Sequence, residues 1–197
     1  EFTQALDRDP EFAPSLEARG TIALRAGDLG LALAEFDRAA QADPTNPQYV
    51  YLKGQTEYLQ SNLKNATALY GQTLELEPAH PGALNDLAWL MASEGRDLES
   101  ALKHATLAAR LNLNADTLDT LGFVHLQSGD AKAAVEALSK ALEIRPNSPS
   151  IEFRLGKALA ETGDNEAARE MLNKALESPD FPESEDARAE LARLKRS

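Results

Sequence analysis

Three histidines, 32 carboxylates and no cysteine are the raw material for chemistry in this chain of 197 residues. Without cysteine there is no thiolate nucleophile, no sulfur-rich zinc site and no disulfide framework, and both cytoplasm and periplasm stay open as compartments. Catalysis would need a nucleophile beside a base, a set of metal ligands, or a glycine-rich loop following a strand. His80, His104 and His125 stand far apart in sequence. The Gly-Asp pairs at 27–28, 129–130 and 163–164 read as turns, because no strand precedes them. The chain therefore reads as non-catalytic, with no cofactor and no metal. Lys plus Arg number 20, leaving a net charge of -12 that repels phosphate backbones and anionic lipid surfaces, so nucleic acid is not an expected partner. No apolar run approaches the ~20 residues that span a bilayer, so this segment is not expected to insert in a membrane.

The elements that position these side chains show themselves through repetition. "LEIRPNSPS" at 142–150 restates "LELEPAHPG" at 74–82, and "AQADPTNPQ" at 40–48 lies 34 residues upstream of the second. Glycine recurs at the same interval as Gly20, Gly54, Gly122 and Gly156, with Ala88 in the remaining slot. Ala32, Ala66, Ala134 and Ala168 keep that interval in the second half of each unit. A small residue in each half predicts two helices crossing closely, joined by "AGD", "SGD" or "TGD" turns. Pro44, Pro78 and Pro146 follow second helices, and Pro47, Pro81 and Pro149 open first ones. Asn112 stands where a proline is due, and Ala101 and Ala108 fall one residue late. One residue is thus inserted after Gly95 and one removed before Leu118, which predicts a local distortion over 95–115.

The pattern resembles the tetratricopeptide repeat, in which a bulky residue and Leu-Gly in a first helix are followed by alanine, an aromatic residue, alanine and proline. "LDTLGFVHLQSGDAKAAVEALSKALEIRPN" at 118–147 and "FRLGKALAETGDNEAAREMLNKAL" at 153–176 carry the likeness best. It implies an all-α chain, an alpha-alpha superhelix of five units over 13–46, 47–80, 81–114, 115–148 and 149–182. Residues 1–12 line up with the second helix of a truncated repeat, and 183–197 read as a C-terminal capping helix with a charged outer face. About twelve helices are expected.

The same resemblance places first helices on a concave groove. Its inward positions would hold Tyr51, Gln55 and Tyr58, then Asn85 and Trp89, then Asp119 and Phe123, then Phe153 and Lys157, with Asp86 at the rim. Five of eleven aromatic residues fall in this stripe, including the single tryptophan. Exposed, they would take a peptide, a partner helix or the sugar faces of a polysaccharide. Packed between neighbouring first helices, they would be core. Asp86, Asp116 and Asp119 would offer an acidic patch to a basic partner. The function implied is a non-catalytic protein-protein interaction scaffold; a polysaccharide-binding module and an accessory domain of a larger enzyme are the alternatives. The last units, with the Phe181-Pro182 turn, are also similar to the ends of long exported bacterial repeat scaffolds and lipoproteins linked to exopolysaccharide export. That similarity implies an assembly or export role and a periplasmic or outer-membrane-associated location.

Overall fold

Each Gly-Asp turn closes one helix and opens the next. In the computed structural model, which describes residues 12–178 and 180–195, positions 27, 61, 95, 129 and 163 all have positive φ. Four are glycines, for which this conformation carries no side-chain clash. The following residue turns its backbone N–H back on the helix just ended, as in Asp28 N to Ala23 O at 2.9 Å and Asp130 N to His125 O at 2.9 Å. Its carboxylate then caps the next helix: Asp28, Asp130 and Asp164 accept from the amides of Leu31, Ala133 and Ala167.

Eleven helices result among the described residues, with no strand among them. They are α1 (Ala13–Arg25), α2 (Leu29–Ala42), α3 (Pro47–Leu59), α4 (Leu63–Leu76), α5 (Pro81–Ser93), α6 (Leu98–Leu111), α7 (Ala115–Gln127), α8 (Ala131–Ile144), α9 (Pro149–Thr162), α10 (Asn165–Ala175) and α11 (Ser184–Leu194). The all-helical expectation is met. The helix anticipated over 1–12 lies, except for Phe12, outside the described residues, which accounts for eleven rather than twelve.

The chain divides into two compact units after Leu90, within α5. In the first, α1 packs on α2, α2 on α3 and α3 on α4. A β-carbon added at Gly20 would meet the Phe36 ring at 2.5 Å, and one at Gly54 would meet the Tyr70 ring at 2.7 Å. The glycines are therefore seats into which a large residue of the second helix is pressed. Phe36 joins Ala23, Ala32 and Leu52 in a shared core.

In the second unit α6 packs on α7, α7 on α8, α8 on α9, α9 on α10 and α10 on α11. Leu138 sits on Gly122 and Leu172 on Gly156, with 2.5 and 2.8 Å to an added β-carbon. A core of Leu118, Leu126, Leu138, Ile151 and Leu155 joins successive helices, and Phe181, Ala187, Leu191 and Leu194 close its end against Phe153 and Leu172. The frame slip is visible here. Helix α6 starts at Leu98, one residue past the 34-residue interval from Leu63, after a turn in which Asp97 has φ 40°. The loop before α7 is correspondingly one residue short, at 112–114. In place of proline, the Asn114 side chain accepts from the Asp116 and Thr117 amides, while the Thr117 hydroxyl accepts from Asn114 N.

Two substitutions test this account by chemical denaturation. Ser61 adopts φ 63° at the turn position held elsewhere by glycine, so Ser61→Gly should stabilise by about 1 kcal/mol. Gly122→Ala should destabilise by about 1–3 kcal/mol despite the better helix propensity of alanine, because its methyl group overlaps Leu138; a neutral effect would refute the seat.

Candidate functional site

The inward residues of the first unit converge on one carboxylate. Asp86 on α5 accepts from the Tyr51 hydroxyl of α3 at 3.0 Å and from the Asn85 amide at 3.1 Å. Gln55 donates to the Tyr51 hydroxyl at 2.8 Å, and the Tyr70 phenol of α4 and the Gln55 amide also face the carboxylate. Tyr51 reaches Asp86 because Gly82 has no side chain: a β-carbon there would lie 2.5 Å from the phenolic oxygen. The Tyr51 ring is held between Tyr70, with centroids 5.8 Å apart, and His80, at 4.6 Å. His80 is buried in the turn before α5, where its Nδ1 accepts from the Ala83 amide at 3.1 Å.

Burial pushes the Asp86 carboxyl above the ordinary carboxylate range, against the opposing pull of hydrogen bonds from Asn85 and Tyr51. Burial, and then the Asp86 charge, raise the Tyr51 and Tyr70 phenols, which stay protonated as donors. No cation counters Asp86. The Asn85 Oδ1 is buried and accepts no hydrogen bond.

On the same helices, Tyr58 is 40% exposed, while Gln55 and Trp89 are half-buried. Tyr51, Gln55 and Tyr58 lie four and three residues apart on α3, and Asn85 and Trp89 four apart on α5, so each set shares one helix face. Of the ten residues anticipated as a groove stripe, six (Tyr51, Gln55, Tyr58, Asn85, Asp86 and Trp89) belong to this unit.

The other four belong to the second unit, which uses them differently. Arg154 of α9 makes a bidentate pair with Asp119 of α7, Nε to Oδ1 at 2.7 Å and Nη2 to Oδ2 at 2.6 Å, and its Nη1 reaches Glu183 at 2.8 Å. Ser150 donates to the other Glu183 oxygen at 2.8 Å. Burial raises the Asp119 carboxyl while Arg154 opposes it; burial likewise works against the Arg154 charge, yet Asp119 and Glu183 together hold the guanidinium above its usual value. Asp116 is bound by Arg145 at 2.6 and 2.8 Å, and that hydrogen bonding lowers its pKa. The acidic patch anticipated from Asp86, Asp116 and Asp119 is therefore reduced to Asp86, since the other two carry arginines. Phe153 is buried, its ring 6.4 Å from Phe181. Phe123 and Lys157 are half-buried.

Tyr70, His80, Arg154 and Glu183 were not anticipated as site residues. One signal was present: Tyr51 and Asp86 are 35 residues apart, as are Asp119 and Arg154. Each pair bridges successive first helices from the same repeat position. Among the described residues no three His, Cys, Asp or Glu side chains could hold a metal, and no helix is long and apolar enough to cross a membrane.

Comparison with known proteins finds two matches to models described as tetratricopeptide repeat, over residues 125–194 and 1–47. Human tetratricopeptide repeat protein 7B is 29% identical over 125 residues, 63% of this chain, and the chain spans only 15% of that relative's length. Among solved structures, YrrB, described as a repeat protein with an unusual peptide-binding site, aligns with a TM-score of 0.73 at 22% identity, covering 95% of this chain and 97% of its own. MamA from Desulfovibrio magneticus aligns with a TM-score of 0.71 at 19% identity, covering 94% and 97%. Yeast Tom70 aligns with a TM-score of 0.68 at 19% identity, covering 99% of this chain and 42% of its own. At these identities the structural likeness is one of fold.

The paired second-unit site predicts a specific cost. Arg154→Met removes the only cation shared by two buried acids and should destabilise by about 3–5 kcal/mol. The double variant Arg154→Met, Asp119→Leu should recover part of that loss, measured by denaturant unfolding; equal single and double effects would show that charge pairing is not the cause.

Proposed function

This chain belongs to the tetratricopeptide repeat family, and we propose that it is a protein-interaction scaffold whose first unit holds a partner segment against the inward face of α3 and α5. The observation that carries this reading is the contrast between the two units. In the second, inward acids and an inward ring are consumed by Arg145, Arg154 and Phe181. In the first, Tyr58 stands 40% exposed beside an uncountered carboxylate and an unused buried amide oxygen. Exposed aromatic residues on a preorganised polar floor are the usual anchors of protein interfaces.

A peptide or a partner helix fits this face better than a polysaccharide. A sugar polymer would stack along successive inward rings, but Tyr51 and Phe153 are engaged within the chain. A place in a bacterial assembly or export system is part of the same proposal and rests on the weaker sequence similarity alone.

The test is selection of random twelve-residue peptides on the purified chain, followed by titration of the selected binders. Binders should lose roughly tenfold to thirtyfold in affinity on Tyr58→Ala, about 1.4–2 kcal/mol, and nothing on Lys132→Ala, an exposed change on a second helix. Binding insensitive to Tyr58→Ala would remove the first unit's inward face from this role.

A further inference from the structure

Asp86 and Asp119 do the same architectural work and differ in one respect. Each bridges successive first helices through a residue 35 positions away, Asp86 with Tyr51 and Asp119 with Arg154. Asp119 faces a guanidinium. Asp86 faces Tyr51, Tyr70, Gln55 and Asn85, all neutral, and no cation contributes to its environment. The other acids of this unit that pair do so elsewhere: Glu35 holds Arg19 and Arg38, and Asp37 holds Lys53.

A half-buried carboxylate surrounded by aromatic rings and lacking a counter-charge is an incomplete ion pair. The Asn85 Oδ1 adds a second acceptor that is buried and unused. Such an atom carries the full cost of desolvation until a donor reaches it. Tyr58, one turn along α3, presents the ring face over which a cation is stabilised. Trp89 lies one turn from Asn85 on the same face of α5. Negative charge, an idle acceptor and exposed aromatic surface share one chemical complement.

We propose that this site receives a basic side chain, arginine or lysine, from the partner segment, with Asp86 as its counter-ion, Asn85 Oδ1 as an acceptor and Tyr58 as the aromatic wall. The proposal rests on the reading of the first unit's inward face as a binding surface and names the chemistry it selects. The net charge of -12 favours approach of such a partner from a distance. Arginine suits the site better than lysine, since its planar fork can donate to Asp86 and Asn85 together while lying on a ring.

The experiment uses the single tryptophan, Trp89, as a reporter. The full chain is titrated with four acetylated, amidated nine-residue glycine-serine peptides that differ only at the centre: arginine, lysine, glutamine or glutamate. Trp89 fluorescence should respond saturably to the arginine and lysine peptides, at least tenfold tighter than to the glutamine peptide, and not at all to the glutamate peptide. Asp86→Asn should abolish that preference. This variant keeps its fold because an amide can accept from Asn85 and donate to the Tyr51 hydroxyl. Tyr58→Ala, at an exposed position, should weaken the arginine peptide at least fivefold and provides an independent check. Equal response to all four peptides would overturn the basic-residue proposal while leaving the binding face intact. No response to any of them would overturn the proposal, with the selected binders of the preceding test then deciding the face itself. A preference that survives Asp86→Asn would also overturn it.

Discussion

A bulky side chain pressed onto a bare glycine backbone is the contact on which the repeat depends. Phe36 on Gly20, Tyr70 on Gly54, Leu138 on Gly122 and Leu172 on Gly156 all occupy space that a β-carbon would take. That approach brings the two helices of a pair close enough for alanines such as Ala32, Ala66, Ala134 and Ala168 to be wholly buried. With small residues at the crossing, little apolar surface is hidden within one pair, and each pair completes its core with the next first helix, as Phe36 does with Leu52 and Leu138 with Ile151. The interval of 34 residues follows from repeating that contact.

Once the glycine seats fix the helix spacing, positions on successive first helices face one another, and polar residues there are forced into relation. The same register supports two chemistries. Asp119 and Arg154 form a buried ion pair that also ties Glu183, at the approach to α11, into the array. Tyr51 and Asp86 form a neutral-to-charged hydrogen bond, made possible by Gly82. Ion pairing neutralises one unit's inward face; the other keeps a charge and an exposed ring. Functional asymmetry here comes from side chains laid on an architecture that is nearly periodic.

The irregular repeat shows how local chemistry absorbs an error in period. The inserted residue is taken up where the chain is already turning, with Asp97 in a left-handed conformation while still capping α6 through Ser100 N. The compensating deletion shortens the next loop, and a reciprocal Asn114–Thr117 cap replaces the missing proline. Hydrogen bonds to free amides do what a pre-set φ angle does elsewhere.

The sequence by itself determined the helices, their turns and their interval. Glycine, alanine and proline act through the backbone, and a backbone requirement repeated every 34 residues is readable in one dimension. Even the slip near Gly95 was legible, because Ala101 and Ala108 came one residue late. Which inward residues remain available was not legible. Tyr51, Asp119 and Phe153 occupy the same repeat position, yet one hydrogen-bonds to a carboxylate, one holds an arginine and one is buried on Phe181. Only the tertiary structure decided among these, because a side chain's exposure depends on what the next helix places 35 residues further on. Periodicity says that two positions meet, while charge, ring size and the absence of a β-carbon at Gly82 determine what their meeting leaves exposed.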